Sequence, residues 1–282
     1  NDGLEDFDIN VLQVLFLIRY VDEMQANIDN LVTLCVDQID TDRLSLKKTI
    51  GGSLVRLEAN SLVSRNGDIY QFLTNEERDI SREIKKILIA PGDQIKLLSS
   101  IIFRDALRDN RKHKFTLTKK DIPFIRVCDG HPVDHSGTGE LTFSIITPLD
   151  DNYSTASDQK CILDSSTDGG RILVRLDDNN SLGAELESYL KTDKYIKTKD
   201  SSILPTTTQK ILKELAVDNQ NRRTTLSNML EQLLVDGQYF VAGEKLVTKS
   251  TTGISLMADA LEYLIENTFT KLSYLQHLTE NP

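Results

Sequence analysis

The chain has 282 residues, of which 39% are hydrophobic and 27% charged; this composition is typical of a globular protein and excludes a disordered chain. The formal net charge of −10 argues against a dedicated nucleic-acid-binding protein, because such proteins present a basic face to phosphate. The longest apolar run, Val11–Ile18, is far shorter than the roughly 20 residues that span a bilayer, which excludes a membrane-spanning helix.

The N-terminus and the cysteines predict a cytoplasmic protein. Acidic residues crowd the N-terminus, where a secretory signal would be basic, and three scattered cysteines form no disulfide framework. The chain begins with Asn1 and enters a helical pattern almost at once. We therefore expect it to be part of a longer protein.

Residues 1–90 predict three helices followed by a β hairpin. Helical spacing of apolar residues runs from Ile9 to about Met24, resumes in a second segment that ends at DQIDTD, and resumes again behind Asp42. Asn66-Gly67 is a strong hairpin signal, because both central residues of a type I′ turn need positive φ. This order predicts a winged helix-turn-helix domain, in which the third helix can enter a DNA groove while the hairpin touches the backbone.

The rest of the chain predicts a small α+β domain over 91–180 and a helical region over 181–282 that packs on it. Helical patterns cover Glu76–Leu88 and Asp93–Leu107, and a strand is expected near Phe115–Thr118. Helical patterns return after Ser181, with a small hairpin expected in QYFVAGEKLV. The predicted fold class is helix-rich α+β. Four β-rich runs predict a small sheet, namely PFIRVCDG, ELTFSIITPL, QKCILDSS and RILVRLD.

The last predicted helix carries an apolar stripe at near-heptad spacing. Packing against neighbouring helices explains the stripe most simply, and self-association through it is the alternative. The stripe consists of Ile254, Met257, Leu261, Leu264, Phe269, Leu272, Leu275 and Leu278.

The sequence contains no recognisable catalytic motif. A nucleotide-binding loop needs G-x-x-x-x-G-K-[ST], and the nearest run, GQYFVAGEKL, places Glu244 where the phosphate-binding lysine belongs. The nucleophile elbow, the zincin helix and the dinucleotide fingerprint are also absent. We therefore predict no catalytic residue and no cofactor site in this chain.

The run CDGHPVDHSGTGEL raises the question of a metal site. Cys128, His131 and His135 have the spacing C-x-x-H-x-x-x-H, which brings together three residue types that ligate zinc. Pro132 and the nearby glycines instead indicate a turn between two strands, where polar residues serve turn geometry. We predict no metal site, and a metal hydrolase built on this loop is the least favoured hypothesis.

Two groups of basic residues are candidate nucleic-acid contacts. The first lies on the third helix and the hairpin, although residues 1–90 hold ten basic against sixteen acidic side chains. The second lies between Arg104 and Arg126, where eight basic residues face three acidic ones. For the winged helix, DNA contact and protein docking both stay open. The candidate residues are Lys47, Lys48, Arg56 and Arg65 in the first group, and Arg111, Lys112 and Lys114 in the second.

Several runs carry a resemblance to a known family: residues 6–84, which begin DFDINVLQ and end SREI, and the shorter SIITPL, RILVRLD and LESYLKTDKYI. They resemble the large P-loop ATPase of bacterial BREX phage-defence systems, of the BrxC and PglY type. The resemblance implies a very large cytoplasmic ATPase whose site for ATP and Mg lies outside this chain. It also implies action with a methyltransferase and other partners against phage DNA, and it supplies no catalytic residue here.

The leading hypothesis is a non-catalytic middle portion of a BREX-type ATPase that contacts double-stranded DNA or other phage-defence subunits. The alternative is a free-standing winged-helix transcriptional regulator whose second domain senses a ligand. For DNA contact we expect weak, salt-sensitive binding that falls when Lys48, Arg56 and Arg65 become alanine.

Overall fold

A computed structural model describes residues 3–21, 23–133, 141–167, 169–199 and 204–269. The chain divides into two compact units: unit 1 comprises residues 1–88 and 188–222, and unit 2 comprises residues 89–187 and 223–282. Part of the region predicted as 181–282 therefore groups with the N-terminal residues. In the described ranges no helix is both long and apolar enough to cross a membrane.

Unit 1 begins with three helices and an antiparallel hairpin, as the sequence predicts. Asp42 caps the third helix by accepting a hydrogen bond from the Leu44 amide, and Asn27 caps the second in the same way through Asn30. The predicted hairpin is confirmed, but its turn lies one residue later than predicted: Asn66 pairs with Ile69, so Gly67 and Asp68 are the central residues. Positive φ occurs at Gly67 and not at Asn66 or Asp68, so the predicted type I′ turn at Asn66-Gly67 is wrong. These elements are α1 (Asp6–Ile18), α2 (Ile28–Leu34), α3 (Arg43–Ala59), β1 (Val63–Asn66), β2 (Ile69–Phe72) and the following α4 (Asn75–Lys85).

The first helix ends earlier than its predicted end near Met24. After Ile18 the backbone continues in three-residue turns, in which the Val21 amide donates to the Ile18 carbonyl. Arg19, the C-terminal cap residue of α1, binds the Glu77 carboxylate with both terminal nitrogens, at 2.7 and 2.8 Å. This contact joins the end of α1 to α4.

Two apolar clusters stabilise unit 1. The larger joins α1, α2, α3 and β1, and the smaller packs Ile80 of α4 against Tyr195 and Leu212. Tyr195 belongs to α7 (Leu182–Thr198) and Leu212 to α8 (Thr206–Asp236), two helices that contribute residues to both units. The fully buried members of the larger cluster are Val11, Leu15, Leu31, Ile50, Leu54, Leu57 and Val63.

Unit 2 is built around a mixed sheet. Its strand order is β3-β4-β6-β7-β8-β9, and the two-residue strand β5 also pairs with β4. The central strands β4, β6 and β7 run parallel to one another, and the other pairs are antiparallel. The strands are β3 (Lys112–Lys114), β4 (Asp121–Cys128), β5 (His131–Pro132), β6 (Leu141–Ile146), β7 (Arg171–Arg175), β8 (Gln238–Val241) and β9 (Glu244–Lys245).

The helices of unit 2 correct one sequence prediction. The run QKCILDSS lies in α6 (Asp158–Thr167) and not in a strand. Parallel strands need a crossover connection, and α6 supplies it between β6 and β7. Its buried residues Cys161 and Ser165 are four apart, as on one face of a helix. A short apolar run does not distinguish a strand from a helix by periodicity alone, and this is why the prediction was wrong.

Two further predictions shift in detail. The strand expected near Phe115–Thr118 is β3, three residues earlier, and Phe115 instead closes a tight turn through hydrogen bonds with Lys119 and Lys120. The helix expected from Asp93 is α5 (Pro91–Ser100), which continues as a π-helical segment to Ala106.

The last described helix is α9 (Gly253–Thr268), and its stripe residues Met257, Leu261 and Leu264 are buried. Leu272, Leu275 and Leu278 lie outside the described residues. Self-association through this stripe stays a prediction.

Gly237 joins α8 to β8 at a point that leaves no room for a side chain. A Cβ there would lie 2.9 Å from the Leu233 carbonyl oxygen and 3.3 Å from that of Arg175. We expect Gly237→Ala to lower the free energy of unfolding by about 1–3 kcal/mol, because backbone atoms would have to move. Gly92→Ala, in open space at the start of α5, is the control and should be neutral or slightly stabilising. Urea unfolding of both variants measures the difference; equal midpoints would contradict the argument.

Candidate functional site

Arg56, a basic residue of α3, stabilises the fold through an ion pair. Arg56 donates to both carboxylate oxygens of Asp8, each at 2.8 Å, and to Glu5 at 3.0 Å. Asp8 is fully buried, and its hydrogen bonds to Arg56 lower the pKa of the Asp8 carboxyl from 3.8 to about 2. Arg56 therefore neutralises a buried charge and joins α1 to α3.

The other candidate residues of unit 1 differ in how far they are engaged. Lys47 forms an ion pair with Asp29 at 2.5 Å. Arg65 donates to the Gly67 carbonyl at 2.7 Å, and its guanidinium lies over the Tyr70 ring, so it supports the hairpin turn. Lys48 is exposed, and within the described part of the chain it has no ion pair.

The first helix exposes a row of large apolar side chains that the sequence analysis did not identify as a surface. Leu17 is 69% exposed and Tyr20 just beyond the helix is 73% exposed, with Ile9 and Phe16 about half exposed. Leu44 and Val55 of α3 are also exposed. We call these six residues the apolar face of unit 1. Ile9, Phe16 and Tyr20 recur at helical spacing, and so do Leu44 and Val55, so each helix exposes an apolar side. Exposed apolar surface of this kind is typical of sites that contact other proteins.

The second group of basic residues lies on and next to strand β3, an edge strand of the sheet in unit 2. We call residues 104–121 the basic hairpin; they comprise the end of the π-helical segment, β3, the turn that follows and the first residue of β4. Its seven basic side chains are all exposed: Arg104, Arg108, Arg111, Lys112, Lys114, Lys119 and Lys120.

The basic hairpin contains both engaged and available cations. Arg111 pairs with Asp109 at 3.3 Å, and Lys112 pairs with Asp121 at 2.5 Å. Among the described residues nothing forms a hydrogen bond or ion pair with the side chains of the other five cations. One of the five, Lys114, lies close enough to Asp121 to help Lys112 lower the pKa of that carboxyl, which leaves four. These four, the available cations, are Arg104, Arg108, Lys119 and Lys120. Sequence reasoning counted them in the basic segment but did not single them out, because pairing is not visible in sequence.

Two contacts hold the basic hairpin in place from within unit 2. Glu262 of α9 accepts from the Thr116 amide at 3.0 Å and contacts His113 Nε2 at 2.6 Å. Burial opposes ionisation of Glu262, but the hydrogen bonds from His113 and Thr116 outweigh burial and lower the pKa of its carboxyl. Arg126, only 1% exposed, binds Asp109 at 2.7 Å. The available cations are therefore displayed on an anchored support.

The Cys128 loop is a strand connection in the structure as far as it is described. Cys128 is buried at the end of β4, and burial raises the pKa of its thiol. His131 Nδ1 contacts the Asp129 carbonyl at 2.7 Å, and Asp129 accepts from the amide and hydroxyl of Thr147. Burial raises the pKa of the Asp129 carboxyl to about 6. His135 lies outside the described residues, and within them no three His, Cys, Asp or Glu side chains are grouped to hold a metal ion.

The described residues form a helix-rich α+β protein with a mixed sheet. Six strands of this sheet pair one after another, and the short strand β5 pairs with β4 outside that order. Residues 87–264 match the family model for the fourth domain of the BREX ATP-binding protein BrxC, described as having a six-stranded beta sheet. The chain belongs to this family, and the resemblance to the BrxC type is confirmed. Most of unit 1 lies outside the matched residues. No solved structure matches the chain.

The Arg56–Asp8 contact predicts that Arg56→Ala destabilises unit 1, because it leaves a buried carboxylate without its partner. We expect Tm to fall by several degrees, whereas Lys48→Ala should leave Tm unchanged. Thermal unfolding followed by circular dichroism measures both. If Arg56→Ala also lost DNA or protein binding, the loss could therefore result from destabilisation of unit 1 as well as from removal of a contact.

The same contact predicts a pH dependence. Because the folded-state pKa of Asp8 is lowered, its stabilising contribution is complete above pH ~4 and is lost as the pH falls through about 2. The double variant Asp8→Asn/Arg56→Ala should lack this component of acid destabilisation. Identical acid profiles for the wild type and the double variant would contradict the role of Asp8.

Proposed function

We propose that this chain is a non-catalytic contact region of a BrxC-type BREX phage-defence protein, and that the basic hairpin binds the phosphate backbone of double-stranded DNA. The observation that carries the proposal is the set of four available cations in the anchored basic hairpin. ATP and Mg would bind elsewhere in the full-length protein.

The composition of the basic hairpin favours contact with phosphate over reading of bases. Arginine and lysine side chains bind phosphate without sequence preference, whereas base recognition needs side chains placed in a groove. The net charge of −10 opposes DNA approach elsewhere on the chain. We therefore expect weak, sequence-independent and strongly salt-dependent binding.

The test compares available with engaged cations. Lys119→Ala/Lys120→Ala should weaken binding to a short labelled duplex by about tenfold per cation at low salt, and should reduce the slope of log K against log salt by about 2. Lys112→Ala is the matched control and should have a smaller effect, since Lys112 already pairs with Asp121. Fluorescence anisotropy over a salt series measures both quantities. An unchanged slope in the double variant would contradict phosphate contact at these residues.

A second role, protein docking by unit 1, is favoured by the apolar face. We propose that the three helices and hairpin form a winged helix, and that this module binds another phage-defence subunit and not DNA. Two of the three basic candidates on α3, Lys47 and Arg56, are paired with carboxylates. Residues 1–90 carry a net charge of −6, ten basic against sixteen acidic side chains. The complementary partner would present an apolar patch bordered by basic side chains.

The docking role is tested on α1. Leu17→Glu should abolish co-elution with the purified partner subunit in size-exclusion chromatography, because a charge would enter the apolar contact. Gln38→Glu adds the same charge to an exposed position of unit 1 outside α1 and α3 and should leave co-elution intact. If both variants lost co-elution, the added negative charge by itself would explain the loss, and the proposal that the apolar face binds the partner would be refuted.

The free-standing regulator is less well supported, because residues 87–264 match a domain of BrxC and leave no separate sensing domain of another family. The proposal of a non-catalytic role rests on the absence of the sequence motifs for nucleotide binding and hydrolysis.

A further inference from the structure

Unit 1 contains a cavity of about 470 Å³ that neither proposed contact surface uses. It lies among β1, α4 and residues of α7 and α8 that belong to unit 1. Its volume is within the range of small-ligand sites, about 300–1,000 Å³. Much of its wall is aliphatic, formed by Val63, Leu73, Ile80, Ile84, Ile211 and Leu215.

Asp218 is a charged group of this cavity whose side chain lacks a partner among the described residues. It lies on the face of α8 that also carries Ile211, Leu215 and Arg222. Its backbone carbonyl accepts from Asn66 Nδ2 at 3.2 Å, which ties this turn of α8 to β1. Within the described residues its carboxylate accepts no hydrogen bond and forms no ion pair.

The electrostatic surroundings of Asp218 are unfavourable to its charge. Burial raises the pKa of its carboxyl; Arg222 opposes the rise, and Glu214 and Glu77 add to it. A carboxylate in this setting gains more from a cation than an exposed carboxylate does, because water competes less for both.

The cations that line the cavity are already engaged or lie in solvent. Arg19 binds Glu77 with two hydrogen bonds, and Arg222 donates to the Arg65 carbonyl at 2.7 Å. Lys85 donates to the Glu58 carbonyl and to Ser61 Oγ. Lys213 is exposed to solvent. None of them forms an ion pair with Asp218.

We propose that this cavity binds an ammonium or guanidinium group carried on an aliphatic stem, with Asp218 as the counter-ion and the apolar wall holding the stem. An anionic ligand would place a second negative charge beside the unpaired Asp218 carboxylate, which disfavours its binding there. A purely apolar ligand would leave the Asp218 carboxylate buried deeper without a partner, which is costly. The inference goes beyond the proposed function and does not depend on DNA or subunit contact.

Two sources supply this chemistry: a free polyamine, or the lysine or arginine side chain of a peptide. Both present a cationic head on a chain of methylene groups. The cavity recognises the shared head and stem, and the experiment distinguishes the sources.

The test is titration of the full chain by amide-resolved NMR with three probes of similar stem length: butylammonium, butyrate and butanol. We expect saturable shifts with butylammonium, confined to amides of β1, α4 and the 211–222 part of α8, and at least tenfold weaker binding of the other two probes. No saturable shift with butylammonium, or equal binding of butyrate, would overturn the proposal.

Variants assign the effect to Asp218. Asp218→Asn should weaken butylammonium binding at least tenfold, while Asp40→Asn removes the same charge from an exposed loop and should leave it unchanged. Asp218→Asn should also keep or raise Tm, because the wild-type carboxylate is partly buried without a partner. If Asp218→Asn folds normally but no longer binds butylammonium, Asp218 acts in ligand binding and not in stabilising the fold. Equal binding by wild type and Asp218→Asn would refute the assignment.

A final comparison identifies the source. Stronger binding of Nα-acetyl-lysine methylamide than of putrescine would support a peptide side chain as the ligand, and the reverse order would support a free polyamine. If butylammonium binds but neither Nα-acetyl-lysine methylamide nor putrescine does, both sources are refuted as ligands of this cavity.

Discussion

The ion pair between Asp8 and Arg56 joins the first and third helices of unit 1. Which side chains this unit can offer to a partner depends on this contact. Solvent does not reach Asp8, so its charge has to be balanced inside the protein, and Arg56 does so with two hydrogen bonds. The guanidinium is thereby engaged within unit 1 and is less available for a contact with DNA. The same packing leaves Leu17 and Tyr20 facing solvent, which favours contact with protein.

In unit 2, by contrast, the buried and half-buried charges that support the basic hairpin are paired, and several of its exposed cations have no ion pair within the described ranges. Arg126 lies buried against Asp109, and Glu262 binds the hairpin backbone at Thr116, so that buried and half-buried pairs stabilise the support. Lys119 and Lys120, at the turn between β3 and β4, have no carboxylate partner among the described residues. A protein with a net negative charge can in this way retain a local cationic surface for phosphate.

Three carboxylates of the chain illustrate how the surroundings determine what an acidic residue can do. Asp8 is fully buried and fully paired, and Glu262 is partly buried and hydrogen-bonded, so the pKa of each is lowered. Asp218 is partly buried in a cavity with an aliphatic wall and without a partner, so its pKa is raised. The first two stabilise the fold, and the third provides the basis for ligand binding.

Local sequence patterns were sufficient for many elements, including α3 behind its Asp42 cap, the presence of the β1–β2 hairpin, and strands β4, β6 and β7. Each depends on neighbouring residues, through helical spacing, turn geometry or β propensity. The run QKCILDSS was mistaken for a strand, because only the parallel pairing of β6 with β7 requires a helix between them.

The sequence by itself determined that the chain is an α+β protein of the BrxC type and that its basic residues are concentrated between Arg104 and Arg126. Only the tertiary structure decided which of the charged residues are available. Arg56 meets Asp8 across 48 residues, His113 meets Glu262 across 149, and Asp218 meets Asn66 across 152. Such contacts form when distant elements pack together, and no local pattern in the chain encodes them.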